Sequence, residues 1–257
     1  MDINQRIEDF QSAVKQNQDI AKQLYKLTNG VALPIQRQQI KTGTYFFRAR
    51  TISNILDLQN WNQKDFQAKP AYKITEYGRL NFPHEAMLYF TNDNEQIFKE
   101  VNYDYQSPIV IAVYQAVQPF NSVQVAQPYS NNGELQLTET ELYETNACIN
   151  YFKNIFQSNA DAKNNQITTI LRENFYRLPQ DLAQAWTFPT IDTAIKGIYN
   201  LAIYPGVAKE LLKFKGAIVI SKANPLGLKE IDYCFDENYR LDYVRNYPEL
   251  QQIFNIK

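Results

Sequence analysis

Apolar residues recur at helical spacing through residues 3 to 28, where Ile7, Phe10, Val14, Leu24 and Leu27 stand among polar neighbours. Such spacing lines one side of a helix, and Asn29-Gly30 is a common stop. The segment reads as a helix packed on its own domain or one that docks a partner. Thr44 to Ala49 is aromatic and strand-like. Asn54 to Ala71 is polar with scattered aromatics, including Trp61 and Phe66, and predicts a loop or short helix. Ala86 to Thr91 is a short apolar strand. Asn92 to Tyr103 turns helical, with Asp93 as a cap and Ile97 and Val101 four apart.

Pro108 to Val117 predicts a buried strand, rich in β-branched residues. Asn131-Asn132-Gly133 marks a turn. Thr138 to Arg177 is mainly helical, interrupted from Ser158 to Asn165 and ended by Pro179. Beyond it come a strand at Ile198 to Tyr204, a short helix at Pro205 to Phe214 and a strand at Ala217 to Ser221. Ile231 to Phe235 and Leu241 to Val244 predict a last strand pair, and Pro248 to Ile256 a short helix. No repeat or low-complexity linker interrupts the chain. The expectation is a single α+β domain with helical insertions. Residues 1–40 form an N-terminal helical segment packed on the core. Residues 41–222 form the main body, with a helical insertion at about 137–178, and 223–257 extend the same domain.

Composition narrows the classes. The chain has 257 residues, 44% of them hydrophobic and 21% charged, which suits a folded, soluble protein. Eighteen Tyr and 15 Phe supply rings for a core, and the tyrosine hydroxyls supply polar walls for clefts. With 26 Lys and Arg against 27 Asp and Glu there is no basic excess for duplex nucleic acid, so direct nucleic-acid binding is not expected. Two cysteines without a CxxC give neither a disulfide framework nor zinc spacing. The first residues lack an apolar signal core, and no stretch is long enough to span a membrane. These features predict a reduced, cytoplasmic protein. The abundance of Asn, Gln, Lys and Ile is a habit of AT-rich bacterial genomes.

Candidate chemistry gathers between Arg48 and Glu100. Arg48 lies in the aromatic run Tyr45-Phe46-Phe47-Arg48-Ala49-Arg50, and Arg79 in Gly78-Arg79-Leu80-Asn81-Phe82-Pro83. Guanidinium forks suit phosphate oxygens, although a structural ion pair or plain solvation explains Arg79 equally well. Tyr89 lies in Met87-Leu88-Tyr89-Phe90, where alternation sets Tyr89 and Met87 on one side. It is either a pocket wall or a core tyrosine. Glu100 borders the apolar stripe of its helix, either solvated at the rim or turned into a pocket. Lone His84 has no partner for a hydrolase triad or for zinc. With 8 glycines in all, no phosphate loop of Rossmann or Walker type is present.

These segments together resemble the RES-domain family. Tyr45 to Arg50 is similar to its tyrosine-arginine-alanine opening, and Gly78 to Pro83 to its Gly-Arg-aromatic-Asn-x-Pro turn. Leu88-Tyr89-Phe90 is similar to its Leu-Tyr-x strand, and Glu100 follows Tyr89 by eleven residues, the family spacing. Phe188-Pro189-Thr190 resembles its Tyr-Pro-Ser, and Tyr199 to Pro205 its Asn-Leu-Ala-aliphatic-aromatic-Pro strand. The likeness covers residues 44 to 215. Two departures stand out: Thr190 replaces the family serine, and Leu80 the usual aromatic.

The resemblance implies an ADP-ribosyltransferase-like fold, with central mixed or antiparallel β-sheets surrounded by helices. It implies an NAD+-consuming toxin of a toxin–antitoxin pair, a glycohydrolase or phosphorylase that splits the nicotinamide–ribose bond. NAD+ is then the substrate and phosphate a possible co-substrate, with no cofactor or metal. The partner implied is a helix-turn-helix antitoxin. Arg48 and Arg79 would hold the diphosphate, Tyr89 the nicotinamide–ribose, Glu100 the developing cation, and Thr190 and Asn200 polar oxygens. Arg48, Tyr89 and Glu100 form the expected catalytic set. Cationic nicotinamide departs neutral, so no general acid is required. Two alternatives remain open: a non-catalytic module that binds NAD+ or ADP-ribose, and an ADP-ribosyltransferase acting on a macromolecule.

Overall fold

The computed structural model describes residues 2–131, 135–158, 161–191, 197–223 and 229–256. In chain order the elements begin with α1 (Ile3–Lys15), α2 (Ile20–Thr28), β1 (Gln36–Ile40) and β2 (Tyr45–Thr51). Three short 3-10 turns follow at Ile55–Asn60, Gln63–Phe66 and Ala71–Lys73. Next come β3 (Leu88–Thr91), α3 (Gln96–Glu100), β4 (Ile109–Ala116), β5 (Phe120–Gln124), α4 (Glu139–Gln157) and α5 (Ala162–Leu171). After α5 the chain makes a π-turn at Arg172–Tyr176, then β6 (Ala185–Phe188), β7 (Asn200–Ile203), α6 (Pro205–Leu211) and β8 (Leu212–Ala223). The last elements are β9 (Lys229–Phe235), β10 (Leu241–Tyr243) and α7 (Pro248–Ile253). The content is α+β, as the hydrophobic pattern predicts. The turn expected at Asn131-Asn132-Gly133 lies largely outside the described residues.

The chain forms two compact units. The first comprises Met1–Gln39, Lys69–Met87 and Asn121–Thr193; the second comprises Ile40–Ala68, Leu88–Phe120 and Ala194–Lys257.

In the first unit the N-terminal apolar stripe belongs to two helices, which corrects the continuous pattern expected for residues 3 to 28. Asn17 takes a left-handed φ of 57°, and the Asp19 carboxylate accepts from the Lys22 N–H at 2.9 Å to start α2. Three consecutive polar residues with a good N-cap favour a break over an exposed bend in one helix. Ile3, Phe10 and Ala13 of α1 and Ile20, Leu24 and Leu27 of α2 are buried. A reciprocal capping box between Thr138 and Glu141 opens α4. The Asp161 carboxylate starts α5 by accepting from the Asn164 N–H at 2.7 Å. Strands β5 and β6 run parallel, with Val123 opposite Trp186, and Ser122 Oγ donates to the Gln38 carbonyl of β1 at 3.3 Å.

The second unit is built on strands in the order β7-β3-β2-β4-β8-β9-β10, antiparallel at each pairing described below. Phe47 lies opposite Val113 and Thr91, Arg48 opposite Ala112, and Val110 opposite Val219. Residues directly opposite each other share a face, and neighbours along a strand alternate. One face therefore carries Phe47, Ile109, Ile111, Val113, Ile218 and Ile220, packed with Ile97 and Phe98 of α3 and Leu250 of α7. The other carries Val110, Ala112, Ala217, Val219 and Phe235, covered by Leu58 and Phe66 from the 3-10 turns. The register shifts between Val113 and Tyr114, opposite Gly216. Gly216 has φ 127°, and an added Cβ would lie 2.7 Å from the Phe235 carbonyl oxygen. Only glycine fits that close backbone approach. Among the described residues no helix is long and apolar enough to cross a membrane.

Candidate functional site

Glu100 is the last residue of α3. In the turn before the helix Asp93 Oδ1 accepts from the N–H groups of Glu95 (3.0 Å) and Gln96 (2.8 Å), while the N-cap position itself falls on Glu95, two residues later than the sequence suggests. Ile97 and Phe98 then anchor it over Phe47. Glu100 stands one turn after Gln96, so the two side chains meet along the helix. Its Oε1 accepts from Gln96 Nε2 at 3.3 Å and its Oε2 from Asn200 Nδ2 at 2.8 Å. The carboxylate is half-buried and held from two sides by neutral amides.

Asn200 opens β7 and pairs with Thr91, while Tyr89 pairs with Ala202. Tyr89 and Asn200 are therefore diagonal neighbours on the face that α3 covers. The second unit thus brings three expected residues, Tyr89, Glu100 and Asn200, to one side of its strands.

It does not bring Arg48 to them. Arg48 pairs with Ala112 and projects from the opposite face. There Arg48 NH1 donates to the carbonyl oxygens of Phe66 (3.1 Å) and Gln67 (3.2 Å). Arg50, two residues on and so on the same face, donates through NH2 to the same Gln67 oxygen at 2.8 Å. The Tyr114 hydroxyl donates to the Phe66 carbonyl at 2.7 Å. Burial, then the neighbouring Arg50 charge, lowers the Arg48 pKa from its ordinary value to about 10. Burial lowers Arg50 as well, partly offset by the field of Asp65.

Arg79 and Thr190 belong to the first unit. The Arg79 guanidinium caps the C-terminal end of α4, donating to the carbonyls of Ile155 at 3.4 Å, Phe156, and Ser158 at 2.8 Å. Those carbonyls have no partner within the helix, and a cation is favourable at that end. Thr190 is 1% exposed, and its backbone carbonyl accepts from Gln157 Nε2 at 3.3 Å. His84 is exposed at the edge of the turn with φ 63°.

The Gly78–Pro83 turn owes its shape to a polar stripe on α5 that the sequence reading passed over. Asn165 Nδ2 donates to the Tyr77 carbonyl (3.0 Å), Thr168 Oγ1 to that of Arg79 (2.6 Å), and Thr169 Oγ1 to that of Gly78 (3.0 Å). One turn further, Arg172 grips Glu85 Oε1 through NH1 and NH2, both at 3.1 Å. The guanidinium carbon lies 5.0 Å from the Trp186 ring and 5.8 Å from the Phe82 ring. Residues 165, 168, 169 and 172 fall at i, i+3, i+4 and i+7. That helical period, in polar residues instead of apolar ones, is the signal that could have found them.

An open cavity of about 610 Å³ lies elsewhere in the second unit, lined among others by Tyr45, Asn92, Asp93, Asn94, Glu249 and Gln252. None of the expected site residues lines it. Among the described residues no group of three His, Cys, Asp or Glu side chains is arranged to hold a metal ion. No family model, curated protein or solved structure matches the chain.

Proposed function

We propose that the protein cleaves the nicotinamide–ribose bond of NAD+ and transfers the ADP-ribosyl group to water or phosphate. The observation that carries this reading is the 2.8 Å hydrogen bond from Asn200 Nδ2 to Glu100 Oε2. Both residues stand in the segments that resemble the RES-domain family, a hundred positions apart, and they meet beside the strand of Tyr89. As nicotinamide leaves with the bonding pair, positive charge develops on the ribosyl C1 and its ring oxygen. A carboxylate fixed by two amides is pre-oriented to stabilise that charge without reorganising. Tyr89 is assigned to the nicotinamide–ribose by its ring or hydroxyl. Water as acceptor gives ADP-ribose, nicotinamide and a proton; phosphate gives the ribosyl phosphate ester. In this reading the fold is ADP-ribosyltransferase-like. The protein acts as a cytoplasmic bacterial toxin restrained by a helix-turn-helix antitoxin.

The test is incubation of purified protein with NAD+, with and without phosphate, and identification of the products by mass. Glu100→Gln keeps the size of the side chain, removes its charge and turns one of its two acceptor oxygens into an NH2 donor. It is expected to lower turnover by at least about a hundredfold, the scale for loss of one transition-state electrostatic contact, with an unchanged circular dichroism spectrum. Wild-type protein that leaves NAD+ intact under both conditions overturns the catalytic reading. A second reading, NAD+ or ADP-ribose binding without turnover, is favoured by the position of Arg48 on the face away from Glu100. Calorimetric binding without nicotinamide release distinguishes it.

A further inference from the structure

On the face of the second unit away from Glu100, Arg48 and Arg50 stand two residues apart on β2 and donate to one oxygen, the Gln67 carbonyl, at 3.2 and 2.8 Å. Like charges brought this close in a half-buried setting repel each other, and a carbonyl dipole offsets only part of that repulsion. Half-buried arginine pairs ordinarily come with carboxylates. Here, among the described residues, neither guanidinium makes an ion pair. Asp65 is the carboxylate whose field reaches Arg50, and its Oδ2 also accepts from the Asn62 N–H at 2.8 Å. Among the described residues the one hydrogen bond from Arg50 is through NH2, and those from Arg48 are through NH1. Each fork therefore keeps further donors, held in place by a strand on one side and the Phe66–Gln67 backbone on the other.

We propose that Arg48 and Arg50 form a cradle for a phosphate-bearing anion, with Arg50 as the second guanidinium of the grip. Two forks on one strand face match the several oxygens of a phosphate or diphosphate, which a single fork cannot satisfy. The cradle replaces the expected pairing of Arg48 with Arg79, whose guanidinium caps α4. The same chemistry is offered by free phosphate and by the diphosphate of a nucleotide. The cradle itself rests on the arginine geometry; only a nucleotide occupant would tie it to the proposed NAD+ reaction.

The test is calorimetric titration of the full chain at constant ionic strength with inorganic phosphate, pyrophosphate and ADP-ribose. Arg50→Gln is the informative variant, because Arg50 makes one hydrogen bond among the described residues and is only half-buried. It is expected to weaken pyrophosphate binding about tenfold or more, the worth of one charge-assisted hydrogen bond. Arg50→Lys is expected to recover part of the loss through charge alone. ADP-ribose binding with the same dependence on Arg50 identifies a nucleotide as occupant; binding of phosphate and pyrophosphate without ADP-ribose identifies the free anion. Wild-type protein that binds none of the three at millimolar concentration overturns the cradle, as does Arg50→Gln with wild-type affinity. Pyrophosphate binding that depends on Arg50, in a protein that leaves NAD+ intact, keeps the cradle and removes the NAD+ reading. NAD+ consumption with anion affinity and KM unchanged in Arg50→Gln does the reverse.

Discussion

Glu85→Ala removes the main counter-charge of a guanidinium that is 1% exposed. Arg172 then stays buried between the Phe82 and Trp186 rings, with Glu173 at 3.2 Å as an acidic neighbour. Breaking a buried pair from one side costs about 3–5 kcal/mol, because the surviving charge is stranded. The lower end applies here, about 3 kcal/mol, since Glu173 remains and Glu85 is itself 21% exposed. The reverse truncation costs less. Arg172→Met puts an apolar chain between two rings and leaves Glu85 to turn toward water, so about 1–2 kcal/mol is expected. Urea unfolding followed by Trp186 fluorescence in a Trp61→Phe background reads this region directly. With a slope of about 2–3 kcal/mol/M, Glu85→Ala lowers the midpoint by about 1–1.5 M. A shift below about 0.3 M, or a larger loss for Arg172→Met than for Glu85→Ala, refutes the reasoning.

Gly216→Ala is expected to destabilise by about 2–4 kcal/mol, because the new Cβ meets backbone at 2.7 Å in a conformation foreign to L side chains; thermal melts that differ by less than a degree contradict this. Burial raises the Cys148 and Cys234 thiols to about 12, and the Tyr151 and Tyr199 hydroxyls also to about 12. The native state then holds these protons more tightly than the unfolded chain does. Stability is expected to be fully present below about pH 9 and to fall as pH rises from there toward 12. Urea midpoints measured from pH 8 to 11 check the slope. The same burial predicts no reaction of either thiol with an aromatic disulfide at pH 8 until the protein unfolds.

Where the sequence was legible, it was because periodicity and local chemistry agreed. β4 is a β-branched run buried along most of its length, and the Asp93 carboxylate accepts from the N–H groups at the turn that leads into α3. Pro205 opens α6 as expected, but the helix ends at Leu211, and Leu212 to Phe214, expected as helix, already belong to β8. Strand β1, by contrast, reads Gln-Arg-Gln-Gln-Ile, and four polar residues give no hydrophobic alternation to detect. β6 is four residues, too few for a period to show against Trp186 and Phe188. Within the candidate site, Tyr89, Glu100 and Asn200 came from motif order and share a face. Arg48 came from the same order but lands on the other face, a consequence of pleat and register that only paired strands reveal. Arg50 was adjacent in the motif yet passed over, because two like charges side by side suggest solvation until the backbone between them is located. Arg172 was passed over because its one signal, the polar period it shares with Asn165, Thr168 and Thr169, looks like a solvated helix face until its burial is known.

The pairing of β4 with β8 carries a consequence for synthesis. Ile109 meets Ile220 and Val113 meets Gly216, so the two strands are separated by roughly a hundred residues of chain. A ribosome adds about 5–20 residues per second. The β2–β4 ribbon therefore waits about 5–20 s for its neighbour, with the hydrogen-bonding edge of β4 that β8 will cover left open. Until β8 emerges, that edge is a template for any passing strand. A nascent-chain holdase, or a translation pause placed after β8 and not before it, is what the topology calls for during expression.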